Sequence, residues 1–273
     1  MKTGFVGGGH MGRALIAALR RSGVDAQSLF VAEPNTDLRT ALVTDFGVHA
    51  SSDAKEFAGD VDCLVLAVKP QDMAAVLAPL RAHLERSQPL VISIAAGLST
   101  SQLQHWCGPR ARIVRAMPNR PASLGAGATG LYADPSVSRT DRERAERVLS
   151  PAGMTVWVDE ERLMDVVTAL SGSGPAYFFR LAEALADAAV AHGLDRDAAS
   201  KLAAATLHGA GLMAATGESM SRLRDSVTSK GGTTAAALDA FSRANLDHTV
   251  EQAVAAAIER GRALSRQQDN NGG

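Results

Sequence analysis

Aromatic side chains make up only 4% of this 273-residue sequence, and cysteine occurs twice, at Cys63 and Cys107. The two thiols stand far apart, with no C-x-x-C pair and no histidines at ligand spacing, so no metal site is expected. Isolated thiols suit a reducing compartment, and the cytoplasm is the expected location. The net charge is −1, which gives no electrostatic case for nucleic acid or an anionic membrane surface. No apolar run approaches the roughly 20 residues that cross a bilayer. The opening MKTGFVGGGHMG does not read as a signal peptide, because its first residues have the pattern of a strand and loop the fold needs. Neither a G-x-S-x-G nucleophile motif nor a Walker loop occurs.

Apolar and small residues are plentiful. The chain is 46% hydrophobic, enough to fill a core, and at roughly 150 residues per domain its length suggests two domains. In the first half, residues 2–6 read as a buried strand, 7–12 as the glycine loop GGGHMG, and the following RALIAALRRSG as a helix closed by Gly23. Gly7, Gly9 and Gly12 match G-x-G-x-x-G in its required setting, after a strand and opening a helix. The first glycine permits the turn, the second admits a pyrophosphate and the third lets helix and strand pack closely. His10 and Met11 lie inside this loop. His10 invites a catalytic role, but a helix-start residue acting through its backbone is the simpler expectation.

SLFVAE, residues 28–33, reads as the next strand and ends on Glu33, about 20 residues past the loop. An acid there either binds the adenosine ribose 2′-OH, which favours NADH, or caps the following PNTD turn. Arg39 keeps a 2′-phosphate, and so NADPH, open. Continuous apolar runs at 62–70, 89–97 and 111–119 read as parallel strands, with helical segments near 71–86 and 99–107. Alternation of this kind means a doubly wound α/β sheet, whose ligands sit beyond the carboxyl ends of the strands. Lys69 at one strand end is either catalytic or a loop residue beside Pro70, and the proline favours the loop role.

Past residue 160 the sequence turns helical, with Phe178, Leu181 and Leu185 at helical spacing and no further strand expected. The expected architecture is therefore an α/β dinucleotide domain over 1–160, an all-helical domain over 161–265 and a polar, disordered tail over 266–273. Alanine-rich faces such as 255–261 exceed what one small helical domain needs to bury, which suggests an oligomer. LSGSGPAYF interrupts the helical region as a hinge or as a substrate-facing bend. SKGGTTAAAL, residues 229–238, reads as a helix start with bare N–H groups, a place that attracts an anion.

With GFVGGGHMG, LAVKPQ, VRAMPNRPA, LSGSGPAYFF and LRDSVTSKGGTTAAAL in place, the chain resembles pyrroline-5-carboxylate reductase from about residue 3 to 265. The resemblance implies a Rossmann-type doubly wound sheet followed by an all-helical dimerisation domain. It also implies homodimers that often assemble into decamers. The implied reaction is hydride transfer from NADPH or NADH to the C=N of 1-pyrroline-5-carboxylate, forming L-proline. Carried over by motif, Gly7, Gly9 and Gly12, with His10 and Met11 between them, hold the pyrophosphate. Val68, Lys69, Pro70 and Ala96 line the cofactor. Ser229, Gly231, Gly232, Thr233 and Thr234 form the substrate loop, with N–H groups around Gly231, Gly232 and Thr233 for the carboxylate and the Thr234 hydroxyl for the ring nitrogen, as the catalytic group. Lys230 stands where the family has Pro and Arg120 where it has Thr. Lys230 either adds a charge beside a carboxylate-binding loop or points to solvent. The alternatives are a reductase of another cyclic imine or small oxo acid, and a non-catalytic dinucleotide sensor. Related hydroxyacid dehydrogenases carry a catalytic Lys on the first helix of their second domain, and TALSGSGPAYFFRLAEAL contains none.

Overall fold

The computed structural model describes residues 1–271, with side chains placed through Arg266. The chain forms two compact units, one of residues 1–173 joined by the stretch from Ala257 onward, the other Gly174–Ala256.

The first unit is built on a sheet of eight strands: β1 (Thr3–Val6), β2 (Leu29–Ala32), β3 (His49–Ser51), β4 (Cys63–Leu66), β5 (Leu90–Ser93), β6 (Arg112–Met117), β7 (Gly127–Ala133) and β8 (Gly153–Trp157). Their order is β3-β2-β1-β4-β5-β6-β7-β8. All neighbours run parallel except β6 and β7. The helices are α1 (His10–Arg21), α2 (Thr36–Phe46), α3 (Met73–Leu77), α4 (Arg81–Ser87), α5 (Thr100–Cys107), α6 (Arg139–Leu149) and α7 (Leu163–Val167). All four residues of β1, β4 and β5 are buried, because helices cover both faces. Side chains alternate between two cores: Phe5, Val65 and Ile92 lie in one, Val6, Leu66 and Val91 in the other. The strand order reverses between β1 and β4, so the crevice beyond Val6 and Leu66 is the expected ligand site.

In this unit three strands, β3, β7 and β8, and two helices, α2 and α6, escape the sequence reading. β3 is only three residues long, and β7 carries glycines that suppress a strand signal. Gly130 of β7 and Gly153, which opens β8, are steric requirements. A Cβ on Gly130 would meet Val167 Cγ1 at 2.3 Å, and one on Gly153 (φ +142°) would meet the Gly127 carbonyl oxygen at 2.0 Å. The side chain of Asn35 opens α2 by accepting the Leu38 N–H, and that of Ser138 opens α6 by accepting the Asp141 N–H.

The second unit is helical: α8 (Gly174–Ala191), α9 (Arg196–Ala214), α10 (Met220–Ser226), α11 (Thr233–Arg243) and the first part of α12 (Leu246–Asn271). α8 packs along α9. Phe178, Phe179, Leu181, Leu185, Leu202 and Leu212 nevertheless remain exposed in the single chain. The compact units divide at 173/174 rather than at 160/161, because Val167 on α7 packs over Gly130 of β7. α12 runs to Asn271, past residue 266 where a disordered tail is expected; residues 272 and 273 lie outside the described residues.

Candidate active site

The loop between β1 and α1 separates the jobs of its glycines. Gly7 has φ +102°, and a Cβ there would lie 2.7 Å from the Ala67 carbonyl oxygen. On Gly12 a Cβ would lie 2.4 Å from the Gly7 carbonyl oxygen, so this position sets how closely helix and strand approach. Around Gly9 nothing lies within 4 Å of a built Cβ. Gly9 N-caps α1 without a side-chain cap, and the first turn of α1 holds no acid. The result is a bare, twelve-residue helix N-terminus facing open space, suited to a pyrophosphate. Beside it lies a cavity of about 560 Å³ whose lining includes Gly7, Gly9, Glu33, Asp53, Val68 and Lys69.

In the second unit, Gly232 N-caps α11, again with no side-chain cap. Gly231 has φ +70°, which favours glycine. A Cβ on Gly232 would strike Ser229 Oγ at 2.3 Å, so serine and glycine are matched in shape. The Gly232 N–H donates to the Ser229 carbonyl at 3.0 Å. In this structure the Gly232 N–H is therefore engaged inside the loop. The bare donors of this helix start are the amides of its first turn, Thr233, Thr234 and Ala235.

Residues 161–264 match the family model for pyrroline-5-carboxylate reductase dimerisation, and residues 2–97 match that for NADP oxidoreductase, coenzyme F420-dependent. The chain is 42% identical over 267 residues to the pyrroline-5-carboxylate reductase of Pseudomonas aeruginosa, covering 97% of both chains. It belongs to the pyrroline-5-carboxylate reductase family. The corresponding protein of Haemophilus influenzae is 41% identical, over 95% of this chain and 96% of its own. Among solved structures, a pyrroline-5-carboxylate reductase from Coxiella burnetii matches with TM-score 0.93 and 38% identity, over 96% of this chain and 98% of that one. A Plasmodium falciparum pyrroline carboxylate reductase, solved with NADP bound, matches with TM-score 0.81 and 31% identity, over 97% and 98%. Like its relatives, the chain is an NAD(P)H-dependent oxidoreductase.

Several of the candidate side chains are engaged within the protein. Glu33 is buried, and its carboxylate accepts the Gly8 N–H at 2.9 Å and the Asn35 N–H at 3.0 Å. It thus caps the PNTD turn and also ties down the glycine loop. Arg39 Nη1 donates to the carbonyls of Glu33 and Pro34, and its Nη2 to Thr36 Oγ1. Asp53 is held below the usual carboxylate range, first by the Lys55 N–H. Met11 turns its side chain into the core, which leaves its backbone to the loop, while His10 is exposed at the first position of α1. Lys69 N-caps a short 3-10 turn begun by Pro70, in line with a shape role. Ala96 is exposed on the loop after β5 and does not line the cavity beside Gly9.

A π-turn, Thr168–Gly172, leads into the SGSGP stretch and is closed by the Ser173 N–H on the Thr168 carbonyl at 2.8 Å; Gly174 and Pro175 already begin α8. Such wide turns are common at functional sites. Asn119, from MPNRPA, donates to the Ser171 carbonyl at 3.0 Å and accepts the Ala128 N–H at 2.9 Å. Two motifs that look independent in sequence are therefore one hydrogen-bonded unit. No cluster of metal-binding side chains occurs among the described residues, and none of the described helices is long and apolar enough to cross a membrane.

Proposed function

We propose that this chain reduces 1-pyrroline-5-carboxylate to L-proline with the residues assembled at its two bare helix starts. One observation carries the reading: each helix start is uncapped and follows a glycine at positive φ, Gly7 or Gly231, which supports one anion at each. The substrate and the dinucleotide are both anions. Gly7, Gly9 and Gly12, with the first-turn amides His10 and Met11, hold the pyrophosphate; Val68, Lys69, Pro70 and Ala96 border the rest of the cofactor. When bound, the reduced nicotinamide supplies the hydride. The amides of Thr233 and Thr234 hold the substrate carboxylate, with Ser229 and Gly231 shaping the loop. The Thr234 hydroxyl hydrogen-bonds the ring nitrogen and orients the C=N carbon. A protonated imine is already electrophilic, so no strong general acid is needed, and well-oriented reactants can gain up to roughly 7–11 kcal/mol.

The finer reading favours NADH over NADPH. Glu33 is pinned by two N–H groups and cannot rotate away from a 2′-phosphate, and Arg39 is engaged with backbone carbonyls. The exposed apolar side chains of α8 and α9 suit a homodimer, with a decamer as its higher assembly. Cys63 and Cys107 are free and buried, which suits the reducing cytoplasm.

The test is loss of reduced-nicotinamide absorbance with 1-pyrroline-5-carboxylate, run in parallel with NADH and NADPH. Proline as product, with the higher kcat/KM for NADH, is the expected result. Folded protein that binds cofactor but turns over no 1-pyrroline-5-carboxylate would overturn the assignment, in favour of another imine or a sensor.

A further inference from the structure

The segment Ile94–Ser99 leads from β5 to α5, and each of its ends is tied to a different part of the first unit. At its start, the Ile94 N–H donates to the Leu66 carbonyl at 3.1 Å, joining it to β4. At its end, Ser99 and Gln102 form a reciprocal capping box. One residue further, the Thr100 N–H donates to Glu161 Oε1 at 2.7 Å and the Thr100 hydroxyl to Oε2 at 2.9 Å. Glu161 comes from a segment 61 residues away in sequence. Its carboxylate also accepts Arg115 Nη1 at 2.9 Å. Arg115 is 9% exposed, its Nε has no hydrogen-bond partner, and Glu161 is its ion-pair partner. Gly97, with φ +77°, closes the other side: a Cβ there would lie 3.2 Å from Ser265 Oγ on α12. Between these ties Ala95 and Leu98 are buried and Ala96 is exposed.

We propose that Glu161 is a positioning residue. Through Thr100 and Arg115 it fixes the Ile94–Ser99 loop, so that the Ala96 backbone stands at a set depth on the carboxyl edge of β5. The proposal rests on the reading that Ala96 borders the bound nicotinamide. A carboxylate suits this role because it meets the positive end of α5 and the buried Arg115 cation together, and bidentate acceptance fixes direction as well as distance. A loop anchored in this way presents its backbone without an ordering step when the cofactor arrives.

The experiment is direct titration of NADH and NADPH by nucleotide fluorescence, together with single-turnover hydride transfer to 1-pyrroline-5-carboxylate. Glu161→Gln keeps the shape and removes the charge; it is expected to weaken cofactor binding about tenfold and slow hydride transfer, with the imine KM changed less than about twofold. Because that change strands Arg115, Thr100→Val supplies the second arm. It leaves the ion pair in place and is expected to weaken cofactor binding about threefold, with Thr100→Ser restoring it. Folded Thr100→Val protein with unchanged cofactor affinity and unchanged hydride transfer would overturn the proposal. The affinity arm reads the loop even if 1-pyrroline-5-carboxylate is not turned over, so a failure here is distinguishable from a failure of the assigned reaction.

Discussion

Glu33 accepts a 2.9 Å hydrogen bond from the Gly8 N–H, which joins the end of β2 to the glycine loop after β1. A single acid thus holds the loop and sets the charge where the adenosine ribose is expected. Replacing it by glutamine keeps one acceptor and removes the charge. Repulsion of a 2′-phosphate at such an edge is worth about 1–2 kcal/mol, so Glu33→Gln should move the NADPH-to-NADH ratio of kcat/KM roughly tenfold toward NADPH. An unchanged ratio would remove Glu33 from cofactor choice and leave it a loop lock only.

The glycines of the loop predict two different failures. Gly12→Ala drives a Cβ to 2.4 Å from the Gly7 carbonyl oxygen, a clash of side chain with backbone. It should lower the melting temperature, with an overpacking penalty of about 1–3 kcal/mol. Gly9→Ala meets nothing within 4 Å. That variant should keep its melting temperature and, on the proposed reading, lose cofactor affinity, because the new methyl enters the open space assigned to the pyrophosphate. Calorimetry and nucleotide titration on both variants separate the two roles.

What the sequence discloses follows from how local each signal is. The strand–glycine–helix pattern at Gly7, Gly9 and Gly12 lies within a dozen residues, and so does the helix start at Thr233, so both are legible. The doubly wound core was legible from apolar runs. β7 and β8 were not, since Gly127, Gly130 and Gly153 are there to clear neighbours that only the fold brings close. The same holds for Glu161 on Thr100 and for Asn119 on Ser171: both bonds join segments remote in sequence. The commitment of the Gly232 N–H to Ser229 is local, yet it is set by a positive φ at Gly231 that residue type only permits.

Thr234→Ala removes the hydroxyl and leaves the backbone donors of α11 in place. It should lower kcat/KM for the imine by about ten- to a hundredfold, as expected for one hydrogen bond to a charged group worth roughly 1.5–3 kcal/mol. Cofactor affinity should stay near wild type. Wild-type turnover in the variant would take Thr234 out of the mechanism.

Asn119 is 8% exposed, and its amide satisfies both the Ser171 carbonyl and the Ala128 N–H. In Asn119→Ala both backbone groups lose their partner. Each part-buried group left without a partner costs up to about 1–3 kcal/mol, so the melting temperature should fall below that of a surface variant. The π-turn should also loosen, which hydrogen exchange at Ser173 would report as faster opening than in the wild type. Lost stability with unchanged exchange at Ser173 would mean that the turn holds without its tether.

Burial pushes the Cys63 thiol up to about 11 and the Cys107 thiol up to about 12, from an ordinary value of 9.0. The sign of the effect on stability follows from proton counting. Well below pH 9 both thiols are neutral in the folded and unfolded chain alike, and they contribute no pH dependence. Between pH 9 and 11 the unfolded chain releases these protons while the folded chain keeps them, so the unfolded state binds fewer and is favoured as pH rises. The melting temperature should therefore decline from pH 9 toward pH 11. A Cys63→Ala, Cys107→Ala double variant, although less stable overall from lost packing, should decline less steeply over that window. At pH 8 the folded protein should also resist a thiol-specific chromogenic reagent until denaturant is added, since the thiolate is the reactive form. Rapid labelling of the native protein at that pH would show that the two cysteines are reached without unfolding, and the pH argument would fail with it.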